Sequence, residues 1–412
     1  MSETRSKSVI IGGGAAGFFA AIACAEADPF SEVVILEKTP NLLGKVKISG
    51  GGRCNVTHAC FNPDELVEFY PRGTVELKGP FHRFGTADTM EWFTDRGVEL
   101  KVESDNRIFP VTDDSQTIVD CLTEFAERAG VVIKTRTGVE GLEKEGDKWL
   151  VRLEDKQAIT ADKVLIATGS SKKMWDSLKK LGHKIVPPVP SLFTFNVKDP
   201  RIAGLAGVSV PNVELSLPAF GIEASGPLLV THWGLSGPAI LRLSAWGARD
   251  LHGTSYRFLL HVNFVPQLEE ELLLDVLNDF RKDPDQQRKR IHSNALFDLP
   301  LRLWKNICTS AKIPEKATWS DVSKPGLKKL VDQLHKAEFV VSGKSTFKDE
   351  FVTAGGIDLN DIDFRTFSSK LHENLFMAGE VLDIDAITGG FNFQAAWTGG
   401  WIAGHAMAGE QV

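Results

Sequence analysis

Val9-Ile-Ile-Gly-Gly-Gly-Ala-Ala-Gly17, written VIIGGGAAG, is the stretch that decides the fold. An apolar run, Val9–Ile11, ends in three glycines, and Ala15–Ala27 continues with helical character. Val33–Leu36 reads as a second buried strand. Strand, glycine turn, helix and strand within about thirty residues make a βαβ unit. Gly12-Gly13-Gly14-Ala15-Ala16-Gly17 fits G-x-G-x-x-G, and Glu37 closes the next strand. Gly12 permits a tight turn, Gly14 lets backbone approach a pyrophosphate, and Gly17 lets helix and strand pack closely. Amides at the helix N-terminus then face the phosphates. Glu37 would accept hydrogen bonds from ribose hydroxyls and repel a 2′-phosphate. The other reading is a glycine turn made only for packing; the acidic residue favours a dinucleotide.

The rest of the chain bounds the answer. At 412 residues it suggests two or three domains. A formal net charge of -7 argues against a globally basic nucleic-acid binder while allowing a local basic patch. Tyr70 and Tyr256 are the only tyrosines, so tyrosine proton donors are few. The cysteines, Cys24, Cys54, Cys60, Cys121 and Cys308, are odd in number and widely spaced. That is not a secreted disulfide framework and points to a reducing cytoplasm. No Cys/His spacing suits a metal. The apolar N-terminal run carries glycines unlike those of a signal peptide, and no apolar run is long enough to span a membrane. A cytoplasmic protein is expected.

Further elements read as follows. Asn62-Pro63 opens a helix through Tyr70, Thr86 caps one reaching Arg96, and a third covers 115–128. Strands are expected at Val131–Thr135, Val139–Lys144, Trp149–Leu153 and Lys163–Ala167. Pro187-Pro-Val-Pro190 breaks the pattern and marks a boundary. Beyond it come short β-like runs to Phe264, helical texture from Gln267 to Lys336, and strands at Phe339–Val341 and Phe351–Val352. The chain ends in a helix-like run, Phe393–Ala408. The simplest organisation is a discontinuous α/β domain, 1–190 with 346–412, interrupted by an insert over 191–345.

Three segments separate FAD from NAD. Val164–Gly169 is a buried strand ending in Ala-Thr-Gly, and Asn374–Glu380 is another ending in Gly379-Glu380. A carboxylate there suits ribityl hydroxyls. Thr388-Gly-Gly-Phe-Asn392 opens the last helix, whose positive end suits charge developing at N1/O2 of a reduced flavin. In this order they favour FAD.

IGGGAAG, LLGKVKISGGGRCN, THWGLSGPAIL, FVTAGGI, FMAGEVLD and TGGFNFQAAWTGG together resemble the bacterial aminoacetone oxidase / BaiN-like family of NAD(P)/FAD-dependent oxidoreductases. The resemblance spans nearly the whole chain. It implies a Rossmann-like FAD-binding domain of the two-dinucleotide-binding-domain flavoprotein type. The inserted domain would be β-barrel-like over 191–265 and mostly helical over 266–345. It places Gly12, Gly14, Ala15, Ala16 and Gly17 along the FAD pyrophosphate, and Glu37 and Lys38 at the adenosine ribose. Lys45, Ser49, Gly51, Gly52, Arg53 and Asn55 would form a loop beside the pyrophosphate and isoalloxazine. Val139 would lie near the adenine and Thr168 and Gly169 behind the nucleotide. Gly379 and Glu380 would meet the ribityl chain, and Gly390, Phe391 and Asn392 the pyrimidine edge. Ala386 and Phe391 stand where Gly and Tyr are common in the family. Hydride would pass through flavin N5, with NADH or NADPH as a transient donor. Amino ketones, steroid-like molecules and RNA uridine are the substrates associated with its members.

Ser49-Gly-Gly-Gly-Arg-Cys-Asn55 continues to Cys60, and the two thiols invite a dithiol reading. Six residues apart on a helix, they would diverge by about 240°. Asn62-Pro63 starts the helix only after Cys60. Cys54 is therefore read as a free thiol near the flavin, with neither cysteine essential to electron transfer; a redox dithiol is the alternative. His232, followed by Trp233, is the candidate proton donor or acceptor in the insert, against a structural histidine. Thr353–Gly356 could let backbone approach the isoalloxazine. Arg107 is either a substrate-side residue or a surface ion pair. Lysines and arginines over 267–336 read as a solvated helical face. Three functions are carried forward: a flavin oxidoreductase of small molecules, a flavin-dependent RNA uridine reductase, and a flavin-binding sensor or scaffold.

Overall fold

The computed structural model describes residues 5–345, 352–410 and 412. The chain divides into two compact units, Met1–Val189 with Val352–Val412, and Pro190–Phe351.

The first unit is built on a seven-stranded sheet. β1 (Lys7–Ile11) leads through α1 (Ala15–Ala27) to β2 (Glu32–Leu36). The sheet runs 362–363, 368–369, 375–377, 163–166, β1, β2, 132–134. Its five strands from 375–377 to 132–134 are parallel. The chain proceeds from β1 to one side and later returns on the other, so the crevice at the carboxyl end of β1 is a topological switch point, where open α/β sheets bind ligands. Parallel strands buried on both faces need continuous apolar sequence, and Val9, Ile10, Val34, Ile35, Val164, Leu165 and Ile166 are all at most 1% exposed.

α1 is buried from Ala16 to Ala25, so it needs no polar stripe. Its partner is the last helix, Phe391–Ala408. A Cβ on Gly400 would stand 2.5 Å from the Ala16 carbonyl oxygen, and one on Gly404 2.5 Å from that of Ala20. Small residues four apart on both helices let the backbones touch. The chain's end is thereby held against its start.

The second unit contains a closed six-stranded barrel, ordered 194–197, 234–236, 222–230, 209–217, 258–263 and 337–345. Helices Glu270–Lys282, Leu301–Ser310 and Lys324–His335 pack on it through Leu273, Leu277, Trp304, Leu327 and Leu330. The strand expected at Phe339–Val341 is longer, Ala337–Ser345, and it closes the barrel between 258–263 and 194–197, so the barrel extends beyond the 191–265 expected for it.

Local expectations differ in four places. Pro187–Pro190 does not break structure: Ile185–Pro190 is a strand paired with Thr353–Ile357 in a two-stranded sheet. With a single partner, such a strand tolerates prolines. The helix at Thr86–Thr94 is capped at Gly85, whose N–H donates to Asp88 Oδ2 at 2.7 Å, so Thr86 is its first residue rather than its cap. Ser49–Gly52 belongs to an assigned helix, Gly44–Gly52, but Ser49, Gly50 and Gly51 leave helical geometry. Of the strand expected at Phe351–Val352, Phe351 lies outside the described residues and Val352 is irregular.

Candidate functional site

The glycine turn after β1 separates closed positions from an open one. Gly12 has φ +114°, and a Cβ there would stand 2.3 Å from the Ala167 carbonyl oxygen. A Cβ on Gly17 would be 2.0 Å from the Gly12 oxygen. Neither position admits a side chain. Gly14, by contrast, has nothing within 4 Å of its Cβ position. It is the N-cap of α1 and offers no side chain to the helix's first amides. The first intrahelical bond is Phe18 N–H to the Gly14 oxygen, leaving the Ala15, Ala16 and Gly17 amides without intrahelical acceptors. An anion fits that end.

Glu37 stands beside this turn. Its Oε2 accepts from Gly13 N–H at 3.0 Å and its Oε1 from Thr39 N–H at 2.8 Å. Its own N–H donates to the Lys134 oxygen, which fixes the backbone. Each oxygen keeps a further lone pair for a hydroxyl donor. Lys38 next to it is exposed, and Val139 is buried.

The Ser49–Asn55 segment is a sharp loop. Gly50, Gly51, Gly52 and Cys54 have φ of +58°, +70°, +87° and +60°. Gly51 and Gly52 face open space, whereas a Cβ on Gly50 would be 2.9 Å from the Phe109 ring. The Ser49 hydroxyl donates to the Val46 oxygen at 2.9 Å. Asn55 is buried with Oδ1 unpartnered, and so is the hydroxyl of Thr168. Arg53 is engaged by Glu103 and Asp113.

Lys45 pairs with Glu380, bringing the first strap of chain to the last strand. Gly169, at φ +58°, lies with its Cβ position 3.6 Å from Glu380 Oε2, and Gly379, at φ +77°, lies 3.1 Å from Ala16 Cβ. Gly379, Glu380 and Asn392 line one small pocket with Phe367, Leu382, Ile384 and Ala395. At the last helix, Gly390 has φ +94° and caps without a side chain. Asn392 closes the preceding loop instead: it accepts from Ala386 N–H at 3.0 Å and donates to the Ala386 oxygen at 3.1 Å. Phe391 clusters with His58 and Phe69, its ring centroid 4.5 and 4.3 Å from theirs, and those two rings also meet each other at 5.7 Å.

Cys54 is fully buried, and burial pushes its thiol up to about 12. It is protonated at neutral pH, and a thiol is a poor nucleophile. Cys60 is partly buried, and both are free thiols. Arg107 pairs with Asp105 and Glu103, which favours its surface-pair reading. His232 and Trp233 belong to the Pro190–Phe351 unit. They stand exposed on a turn made by Thr231, whose hydroxyl accepts from the Trp233 and Gly234 amides.

Several residues carry the site without a local signature. Tyr70 is buried and its hydroxyl donates to the Phe391 oxygen at 2.5 Å. Burial holds that phenol well above its usual range, and its hydroxyl, bonded to the Phe391 oxygen, supports a helix start. Thr57 donates to Gln394 Oε1 at 2.6 Å. Arg72 grips the fully buried Asp385 through both carboxylate oxygens. His58, half-buried, is held below the usual histidine range by burial, against the pull of Asp105. Only spatial neighbours separate these residues from ordinary ones.

The donor set fits a long dinucleotide. Open glycine backbone at Gly14, Gly51 and Gly52, two orphaned polar atoms, a hydroxyl acceptor at each of Glu37 and Glu380, and two uncapped helix N-termini are gathered in one unit. Among the described residues no cluster of His, Cys, Asp and Glu suits a metal ion, and no helix is long and apolar enough to cross a membrane.

A family model described as the HI0933-like protein Rossmann domain matches residues 6–406. A 3-dehydro-bile acid delta(4,6)-reductase of Clostridium scindens is 27% identical over 414 residues, covering 97% of this chain and 98% of that protein. A ribosomal RNA dihydrouridine synthase of Escherichia coli is 27% identical over 409 residues, 96% of each chain. Among solved structures, a 3-ketosteroid-delta4-(5alpha)-dehydrogenase from Rhodococcus jostii is similar with a TM-score of 0.53 at 14% identity, covering 100% of this chain and 98% of that one. That likeness bears on the fold alone.

Proposed function

The chain belongs to the HI0933-like family of FAD-dependent oxidoreductases, and from that premise we propose that it reduces a small organic molecule with electrons drawn from NADH or NADPH. The observation that carries the cofactor assignment is the contrast at the first glycine turn. Gly12 and Gly17 are shut by backbone, while Gly14 opens onto free space at a helix N-terminus.

FAD, when bound, supplies hydride transfer at N5 of its isoalloxazine ring. This chain's residues bind and orient it. Gly14, Ala15, Ala16 and Gly17 present backbone amides to the pyrophosphate. Glu37 accepts from the adenosine ribose, with Lys38 and Val139 on the adenosine side and Thr168 and Gly169 behind. Gly379 and Glu380 hold the ribityl chain, and Lys45 keeps the Glu380 carboxylate in place. Gly51, Gly52 and Asn55 line the isoalloxazine side. Gly390, Phe391 and Asn392 aim the positive end of the last helix at the pyrimidine edge, where negative charge collects on reduction. His232 is kept as the candidate for proton exchange with substrate. The site suits a cytoplasmic enzyme, where reduced pyridine nucleotides are available.

A second reading, reduction of a uridine in RNA, is favoured by the relative named for ribosomal RNA at the same 27% identity. The net charge of -7 weighs against it. Anaerobic stopped-flow with NADH and NADPH tests the first reading. Bleaching of the flavin, followed by reoxidation with enones or amino ketones, is the expected result. No bleaching by either nucleotide overturns it, and reoxidation by RNA alone selects the second reading.

A further inference from the structure

Arg53 lies in the loop that the family resemblance places beside the cofactor, and a guanidinium there invites the role of phosphate ligand. Its surroundings assign it elsewhere. NH1 lies 2.6 Å from Glu103 Oε1 and 3.3 Å from Asp113 Oδ1. The guanidinium stands over the Phe109 ring, 3.9 Å from its centroid. Glu103 turns its other oxygen to Arg107, 3.4 Å away, and Asp113 turns its other oxygen to Lys101. Arg107 is taken further by Asp105 at 2.7 Å and also overlies Phe109, at 5.3 Å. Three cations and three carboxylates thus neutralise one another, and little charge is left to offer a pyrophosphate.

Phe109 is what the network grips, and Phe109 is also what the loop rests on. A Cβ on Gly50 would meet its Cε1 at 2.9 Å. The loop needs such support, because Cys54 holds φ +60° without being glycine, a conformation that persists only where its surroundings over-determine it. A second anchor is Ser115, whose N–H donates to the Gly52 oxygen at 2.8 Å and whose hydroxyl donates to the Lys47 oxygen at 2.6 Å.

We propose that Arg53, Glu103, Asp113 and Phe109 form a clamp that positions the Gly50–Gly52 backbone for the flavin, and that Arg53 is a positioning residue rather than a phosphate ligand. The inference rests on the FAD reading of the site. FAD affinity should then depend on carboxylates that never touch the cofactor. An isolated exposed ion pair changes an equilibrium by up to about five-fold, and a network coupled to a stacked guanidinium by more.

The two roles for Arg53 predict opposite signs for one substitution. If Arg53 binds phosphate, Glu103→Gln frees the guanidinium and removes a nearby negative charge, so FAD binds as well or tighter. If Arg53 is a clamp, Glu103→Gln weakens FAD by about five-fold and Arg53→Ala by about thirty-fold. The measurement is FAD titration of deflavinated full-length protein, followed by flavin fluorescence, with melting of the apoprotein alongside. Unchanged or tighter binding in Glu103→Gln overturns the clamp. Wild-type protein that takes up no FAD would instead overturn the cofactor reading itself.

Discussion

Gly390 lies directly against Thr57: a Cβ on Gly390 would stand 2.5 Å from the Thr57 carbonyl carbon and 2.6 Å from its oxygen. The last helix therefore begins on top of a strand that follows the SGGG loop. Two segments more than three hundred residues apart in sequence meet at one end of the candidate flavin site.

This contact makes Gly390 a sensitive position. Gly390→Ala adds a clash with backbone and forces alanine to φ +94°. It should cost about 2–4 kcal/mol of stability. Gly51→Ala, at φ +70° with open space around it, should cost less, about 1 kcal/mol, while weakening FAD binding. Chemical denaturation of both apoproteins checks the order; equal losses would refute the contact argument.

Glu37 is expected to control affinity rather than turnover. Glu37→Gln keeps one oxygen acceptor, so one of the bonds from Gly13 and Thr39 is lost together with the charge that attracts hydroxyl donors. FAD should bind about 10-fold more weakly, with kcat at saturating FAD within about two-fold of wild type. A large fall in kcat with unchanged FAD affinity would remove Glu37 from the ribose end.

The cysteines should prove dispensable for electron transfer. Cys60→Ser is expected to retain most turnover with an acceptor that reoxidises the flavin; near-complete loss with FAD still bound would reinstate the dithiol. Alkylation at pH 8 should label Cys60, which is partly exposed, well before Cys54, whose thiol burial raises to about 12. Mass spectrometry of the labelled peptides reads the order directly.

His183 predicts an acid-sensitive contribution to stability. Ser369 Oγ accepts from the Leu371 and His372 amides, each at 3.0 Å, so its hydroxyl hydrogen is free to donate to His183 Nε2, 3.2 Å away. The ring is then neutral with its proton on Nδ1, 3.5 Å from Asp361 Oδ2. Burial lowers the histidine's pKa, against Asp361, which raises it, and with a smaller lowering from His372. The unfolded chain takes up this proton near pH 6.5 while the folded chain does so only at lower pH. The stability contributed by His183 is therefore complete above about pH 6.5 and is lost as pH falls below it. Melting temperatures at pH 7.5 and 5.5 should differ more for wild type than for His183→Gln; equal differences count against the assignment.

Much of this was legible locally. α1 runs over Ala15–Ala27, as its apolar run after the glycines suggests, and Asn62 caps at Pro63 with its side chain accepting from Asp64 N–H. Those features depend on backbone rules that act over a few residues. Pro187–Pro190 conceals a strand because a proline's effect depends on how many strands flank it, while the two compact units divide at Val189 and Pro190. Thr86 misleads because Gly85 takes the cap position, with its own N–H held by the Asp88 carboxylate. Arg53 reads as a ligand in sequence because the carboxylates that occupy it lie fifty and sixty residues away.

The amino-acid sequence by itself determined the βαβ start, the order of the glycine turns and the acidic residues that follow two of the strands, since periodicity, glycine and charge act at short range. Only the tertiary structure decided which glycine faces open space, which polar atoms are left unpartnered, that Phe391 clusters with His58 and Phe69, and that Ala337–Ser345 closes the barrel. Those outcomes depend on distances between segments far apart in the chain, which are set by the packing of the whole sheet, barrel and helix pair.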